Sequence, residues 1–205
     1  MPGSMSRADL VADLKASLLD AAKSFTAAAD ADFARHLDKG AEALTRVRRR
    51  TLAGTLVLEA GRAEYPAPTD LWLFKTTTWG AAHGVRPWEP SYPGRLPDVR
   101  QIDGALYFVP APSAHQIALL GPSCPFFYYA RHAVGADADE TTVEPADRSL
   151  LLLRAQAEAM RELALRDSVR PTGAQSAWSG QPRTGTPAAL AQWLLGEFER
   201  AAGVQ

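Results

Sequence analysis

The chain of 205 residues is 46% hydrophobic and 22% charged, enough to bury roughly 70% of its unfolded surface in one or two domains. Its 22 Lys and Arg against 23 Asp and Glu leave a net charge of −1, which argues against a nucleic-acid or anionic-membrane binder working through bulk charge and leaves room only for a local basic patch. The single cysteine, Cys124, excludes an intrachain disulfide framework and a multi-cysteine zinc site, and no apolar run approaches the ~20 residues of a membrane span. Met1 to Ser6 lacks a signal-peptide layout, so a protein of a reducing compartment without a membrane anchor is expected; its Gly3-Ser4-Met5 can be a cloning scar ahead of a native start at Met5.

Helical periodicity predicts a first helix over 6–23, with Leu10, Val11, Leu14, Leu18 and Ala22 at three- and four-residue steps and Ser6 as its cap. A second is expected over 30–48, with Phe33, Leu37, Ala41, Leu44 and Val47 on one face and Gly40 as an interior weakness. From Thr51 the period changes to that of strands. Thr51 to Leu58 alternates, Tyr65 ends a strand that Pro66 and Pro68 confine to a sheet edge, and Leu71 to Thr78 follows. Residues 78–104, with Pro87, Pro90, Pro93 and Pro97, read as one long loop. Ala105 to Val109 is the next strand, and Gln116 to Leu120 with Phe126 to Arg131 read as a hairpin around Gly121-Pro-Ser-Cys-Pro125.

After the acidic stretch Gly135 to Glu140, Pro145 opens a third long helix over 146–167, with a seam of Leu150, Leu153, Ala157, Met160 and Ala164 and a Glu162–Arg166 pair. A polar linker over 169–185 leads to a helix over 186–203, capped by Thr186 and Pro187, whose stripe is Leu190, Trp193, Leu194, Phe198 and Ala201. The expected fold class is therefore α+β. A single domain over 6–168 is a helical bundle with a small antiparallel β-sheet or sandwich inserted at 51–133, followed by a docking helix on its linker. The absence of βαβ alternation argues against a doubly wound enzyme.

No phosphate loop, dinucleotide fingerprint, HExxH or EF-hand pattern occurs, and no cofactor or metal is implied. Gly121-Pro-Ser123-Cys124-Pro125 superficially has the look of a nucleophile elbow, but proline replaces the last glycine, and a tight turn is the better reading. Cys124 as a nucleophile would need a base, for which His115 and His132 are the candidates. Asp137, Asp139 and Glu140 lack the spacing of a cation loop and read as a solvated helix entry. Arg46, Arg48, Arg49 and Arg50 form the one basic cluster, which suits either a helix C-terminus or contact with phosphate or an acidic partner. Trp88 and Tyr92 in the long loop, and Trp193 after the linker, are either partner anchors or aromatics folded back on their own domain.

Several short pieces follow one another along the chain: Arg48-Arg-Arg-Thr51, Tyr65-Pro-Ala-Pro68-Thr-Asp70, Leu106-Tyr-Phe-Val-Pro110-Ala-Pro112, Phe127-Tyr-Tyr129 and Asp147-Arg-Ser-Leu-Leu-Leu-Leu153. In that order, from residue 30 to residue 167, the chain resembles the head-to-tail connector proteins of tailed bacteriophages, the adaptors or head-completion proteins. The resemblance implies a non-enzymatic structural protein of the virion neck, made in the host cytoplasm. It would form a dodecameric ring between the portal protein and a downstream neck or tail protein, with DNA passing through the channel unread. Leu190, Trp193, Leu194 and Phe198 would then dock the C-terminal helix on the portal, with Trp88 and Tyr92 as further contacts. A near-neutral charge suits a channel through which phosphates must slide. The large β portion departs from the smaller, all-helical adaptors, so gatekeeper-like adaptor, neck protein and tail-completion protein share these signals. Two other classes remain as alternatives: a small hydrolase or transferase around Cys124, and a carbohydrate- or peptide-binding module using Trp79, Trp88 and Tyr92.

Overall fold

The Ser6 hydroxyl accepts a hydrogen bond from the Asp9 amide at 3.2 Å and so starts the first helix, α1, Arg7–Leu18. The computed structural model describes residues 4–81, 84–169 and 186–203; the linker expected over 169–185 lies outside them except for Val169, which is helical. Leu10, Val11, Leu14 and Leu18 are buried as their spacing predicts, and a 3-10 turn, Leu19–Ser24, continues the segment. Helix α2, Ala31–Val47, buries Phe33, Leu37, Ala41 and Leu44 on the expected face. Two further helices complete this part: α4, Arg148–Val169, and α5, Pro187–Ala202, with Thr186 accepting from the Ala189 amide at 3.2 Å and Pro187 in the first turn.

The chain divides into two compact units: a helical one, Met1–Arg48 with His132–Gln205, and a β-rich one, Arg49–Arg131. The expected single domain with a separate docking helix is thus corrected, because α5 belongs to the helical unit and packs along α4. Helices α1, α2 and α5 all pack on α4. That is why α4 is apolar around much of its girth, burying Leu150, Leu151, Ala155, Ala157, Ala159, Met160 and Leu163 rather than one narrow seam. At Gly40 helix α2 lies close against α4. A Cβ there would stand 3.0 Å from Leu151 Cδ1 and 3.1 Å from the Leu151 carbonyl oxygen, so the residue that weakens the helix signal is the one that lets the helices approach.

The β-rich unit holds β1 (Arg50–Val57), β2 (Glu64–Pro66), β3 (Leu71–Thr77), β4 (Asp98–Ile102), β5 (Ala105–Val109), α3 (Ala114–Leu120) and β6 (Ser123–Ala130). They form two small antiparallel three-stranded sheets, β1-β6-β3 and β2-β5-β4, in keeping with the antiparallel sheet or sandwich expected. The fold class is α+β. Central β6 pairs with β1 in the register Thr51↔Tyr129 and Val57↔Ser123, and with β3 in the register Leu73↔Tyr129. Tyr65 and Pro66 do lie on an edge strand, β2, where a missing N–H costs no ladder bond.

Two expectations are overturned here. The long loop over 78–104 contains β4, joined to β5 by a tight turn in which Asp103 (φ +46°) and Gly104 (φ +77°) are both left-handed, as a type I′ turn requires. Gln116 to Leu120 is not a strand but part of α3. Ser113 Oγ accepts from the Gln116 amide at 3.1 Å while Gln116 Oε1 accepts from the Ser113 amide at 2.9 Å, and this capping box commits the short segment to a helix.

Candidate partner-binding surfaces

The residues expected on the outer stripe of α5 divide into two sets. Leu194 and Phe198 are buried in the helical core, with the Arg154 guanidinium 5.8 Å from the Phe198 ring centre. They are corrected from partner-binding to core residues, since a helix on α4 must bury one stripe of its own. Leu190 and Trp193 stay 40% and 58% exposed. Leu190 also lines a shallow apolar groove of about 390 Å³ with Leu18, Leu19, Met160, Leu163 and Leu194. Leu19, at φ +51° just past α1, stands 78% exposed.

The basic cluster is taken apart by the fold. Arg46 pairs loosely with Glu42 at 3.7 Å on an exposed helix face. Arg48 is a clamp within the helical unit: Nε meets Asp147 Oδ1 at 3.2 Å and Nη1 donates to the Ala202 carbonyl at 3.3 Å, where the end of α5 attracts a cation. Arg49 lies over the rings of Trp72 and Tyr129, at 6.0 and 5.3 Å. Arg50 opens β1 with its Nη1 buried. Of the four, Arg46 and Arg49 keep exposed side chains free of strong pairing.

Trp88 is 75% exposed beneath the Arg86 guanidinium, 5.5 Å away, while Tyr92 is half-buried and its carbonyl faces His115 Nε2 at 3.4 Å. Trp79 is a core residue: buried, its Nε1 donates to the Gly121 carbonyl at 3.0 Å. Among the described residues of the β-rich unit, Cys124 and His115 make no hydrogen bond to each other, their partners being Thr77 and the Tyr92 carbonyl. Cys124 is fully buried on β6 with Sγ 3.2 Å from Thr77 Oγ1, and burial pushes its thiol up, an effect that Thr77 only partly opposes. His132 belongs to the helical unit, where its Nδ1 faces the Thr142 carbonyl at 3.1 Å and its Nε2 the Arg48 carbonyl at 2.7 Å. Gly121-Pro-Ser-Cys-Pro125 runs from the end of α3 into β6, the reverse of the strand-to-helix order an elbow needs. A neutral-pH thiol assay of the folded protein should therefore show Cys124 reacting far more slowly than in urea; equal rates would reinstate it as a nucleophile.

Asp137, Asp139 and Glu140 form an exposed, fastened turn. Glu140 Oε2 accepts from the Ala136 amide at 3.0 Å and Thr141 Oγ1 from the Gly135 amide at 3.0 Å. No group of three His, Cys, Asp or Glu among the described residues is placed to hold a metal ion, and no described helix is long and apolar enough to cross a membrane.

Sequence reasoning found only one member pair of the most connected polar group. Glu162 on α4 accepts from His36 Nε2 at 2.8 Å, from Arg35 Nη2 at 2.6 Å and from Arg166 Nη2, and Asp32 completes the group through Arg35 at 2.9 Å. His36 is 1% exposed and lies edge-on to Phe25 at 5.1 Å. Its position one residue before Leu37 on the apolar face of α2 was the available signal. Burial lowers the His36 pKa below its ordinary 6.5, partly opposed by Glu162. Burial would raise Glu162, but the hydrogen bonds from His36, Arg35 and Arg166 outweigh it and hold the carboxyl at about 2. The group is a staple between α2 and α4.

Among the described residues, the large exposed apolar side chains include Leu19, Leu190 and Trp193 in the helical unit and Val57, Leu73, Trp88 and Phe127 in the β-rich unit. The sequence matches no protein-family model and no curated protein at a significant level.

Proposed function

We propose that the protein is a head-to-tail adaptor of a tailed bacteriophage, a structural component of the virion neck that binds the portal protein and a downstream neck or tail protein as a homo-oligomeric ring. The observation that supports it best is the order of the connector-like pieces together with the junctions they occupy. Arg48 clamps the ends of α2 and α5. Tyr65 is buried and its hydroxyl accepts from the Glu59 amide at 2.8 Å, while Asp70 accepts from the Tyr128 hydroxyl at 3.0 Å, so both ends of the Tyr-x-x-Pro-x-Asp corner are tied. Pro110 and Pro112 end β5, Phe127 to Tyr129 run along β6, and Asp147 to Leu153 opens α4. In this reading Leu19 and Leu190 at the α5 groove, together with the exposed Trp193 of the same helix, face the portal. The buried thiol of Cys124 gives the hydrolase alternative no activated nucleophile to start from.

The test is mass photometry of the protein mixed with the portal encoded beside it, against each alone. A discrete shift of a whole ring of copies per portal is expected. No shift, with both proteins folded, would sink the portal-adaptor reading and favour a tail-side component.

A further inference from the structure

The outer face of the β1-β6-β3 sheet is unlike the rest of this nearly neutral chain. Alternation places Thr51, Ala53, Thr55 and Val57 of β1 on it beside Pro125, Phe127 and Tyr129 of β6 and Leu73 of β3. Val57, Leu73 and Phe127 are exposed there. None of the three strands contains an Asp or Glu. Its charges are Arg49 and Lys75, both stacked on the Tyr129 ring at 5.3 and 5.2 Å, and exposed Arg131 just after β6. No carboxylate lies within ion-pair distance of these three among the described residues, although most other arginines are paired, such as Arg62 with Glu59 and Arg100 with Asp98. The face is an apolar patch with a cluster of uncompensated cations at one end.

The helical unit carries the opposite. Asp137, Asp139, Glu140 and Glu144 are all exposed and lack a cation partner among the described residues. Their segment is preformed: Thr142 N donates to the Ala133 carbonyl at 3.0 Å, Arg7 N to the Ala136 carbonyl at 3.3 Å, and a Cβ on Gly135 would stand 2.2 Å from Glu140 Cβ, so tightly does the chain double back. A surface that is already ordered loses little entropy on docking.

We propose that the sheet face binds the acidic segment Gly135–Glu144 of a second copy of this chain. The identity of the partner as a second copy rests on the ring in the adaptor reading; the complementarity does not. Such a contact is head-to-tail, the kind that generates a ring when its rotation closes. A nucleic acid fits the face less well. Arg49 and Lys75 already cover Tyr129, which leaves Phe127 as the face's one uncovered aromatic among the described residues, and the cations are grouped rather than strung along a backbone track.

The test is sedimentation velocity of the full chain at its highest soluble concentration in low salt, with two charge-reversed variants, Arg49→Glu with Lys75→Glu and Asp137→Lys with Asp139→Lys, each checked for folding by circular dichroism. The wild type is expected to self-associate, less so at high salt, and each variant alone to associate about a hundredfold more weakly or worse. An equimolar mixture of the two variants should associate again, because each reversed surface meets its reversed complement. A monomeric wild type, variants that assemble like it, or a mixture of folded variants that stays monomeric would overturn the proposal. So would tight binding of a fluorescent poly-dT oligonucleotide that the sheet variant loses. Portal binding by the wild type, measured separately, distinguishes the outcomes: if it persists, only this contact fails, and if it is absent, the adaptor reading fails.

Discussion

Phe198→Ala should destabilise the helical unit by about 3–5 kcal/mol, the usual cost of emptying a buried aromatic site, while Trp193→Ala, five residues earlier on α5, should change stability by no more than about 0.5 kcal/mol. The difference follows from exposure alone: Phe198 is 4% exposed and Trp193 58%. Urea unfolding followed by circular dichroism reads both, without relying on the tryptophan signal that one variant removes. Binding to the portal should reverse the ranking among folded proteins. Trp193→Ala should weaken it, and Phe198→Ala, under conditions where it remains folded, should not. Equal stabilities would show that α5 is held to α4 by little more than its tether, as the docking-helix expectation has it.

That contrast also shows how far the sequence is legible. The stripe of α5 could be read from the spacing of Leu190, Trp193, Leu194 and Phe198, but an apolar stripe has the same period whether it faces a partner or its own core. Only the structure tells that Leu194 and Phe198 face α4. The helices of the first unit were readable because their burial follows local periodicity, and the breadth of α4 was not, because it depends on being packed by three neighbours. In the β-rich unit β4 was missed although Asp103-Gly104 is a strong hairpin signal; four prolines nearby made the whole stretch read as loop. α3 was missed because seven residues are too few to show a helical period, and its information lies in the Ser113–Gln116 capping box. The basic cluster is adjacent in sequence but divided in space, since the change from helix to strand between Val47 and Arg50 sends successive side chains to different surroundings.

The largest electrostatic effect is expected from Glu162→Gln. A carboxyl held at about 2 instead of 4.5 contributes about 3 kcal/mol at neutral pH, an upper figure because water screens Arg35 and Arg166. Glutamine keeps the volume and can still accept from His36, so the loss reports the charge rather than a cavity. The pH dependence has a definite sign. In the wild type, stability should begin to fall as pH drops through 6.5, because unfolded chains protonate His36 while burial keeps the folded imidazole neutral. It should fall further from 4.5 toward 2, as the unfolded chain gains a proton on Glu162 that the folded carboxylate refuses. The variant loses the lower limb. Its upper limb becomes deeper, because the carboxylate that opposed the burial of His36 is gone and the folded ring resists protonation more strongly. Urea midpoints at pH 7.5, 5.5 and 3.5 separate the two limbs, the wild type and variant converging as the acid limb is crossed. Matching curves for the two proteins at all three would mean that packing around Phe25, His36 and Leu37 joins α2 to α4 without help from the charge, and that Arg35 and Arg166 are bystanders.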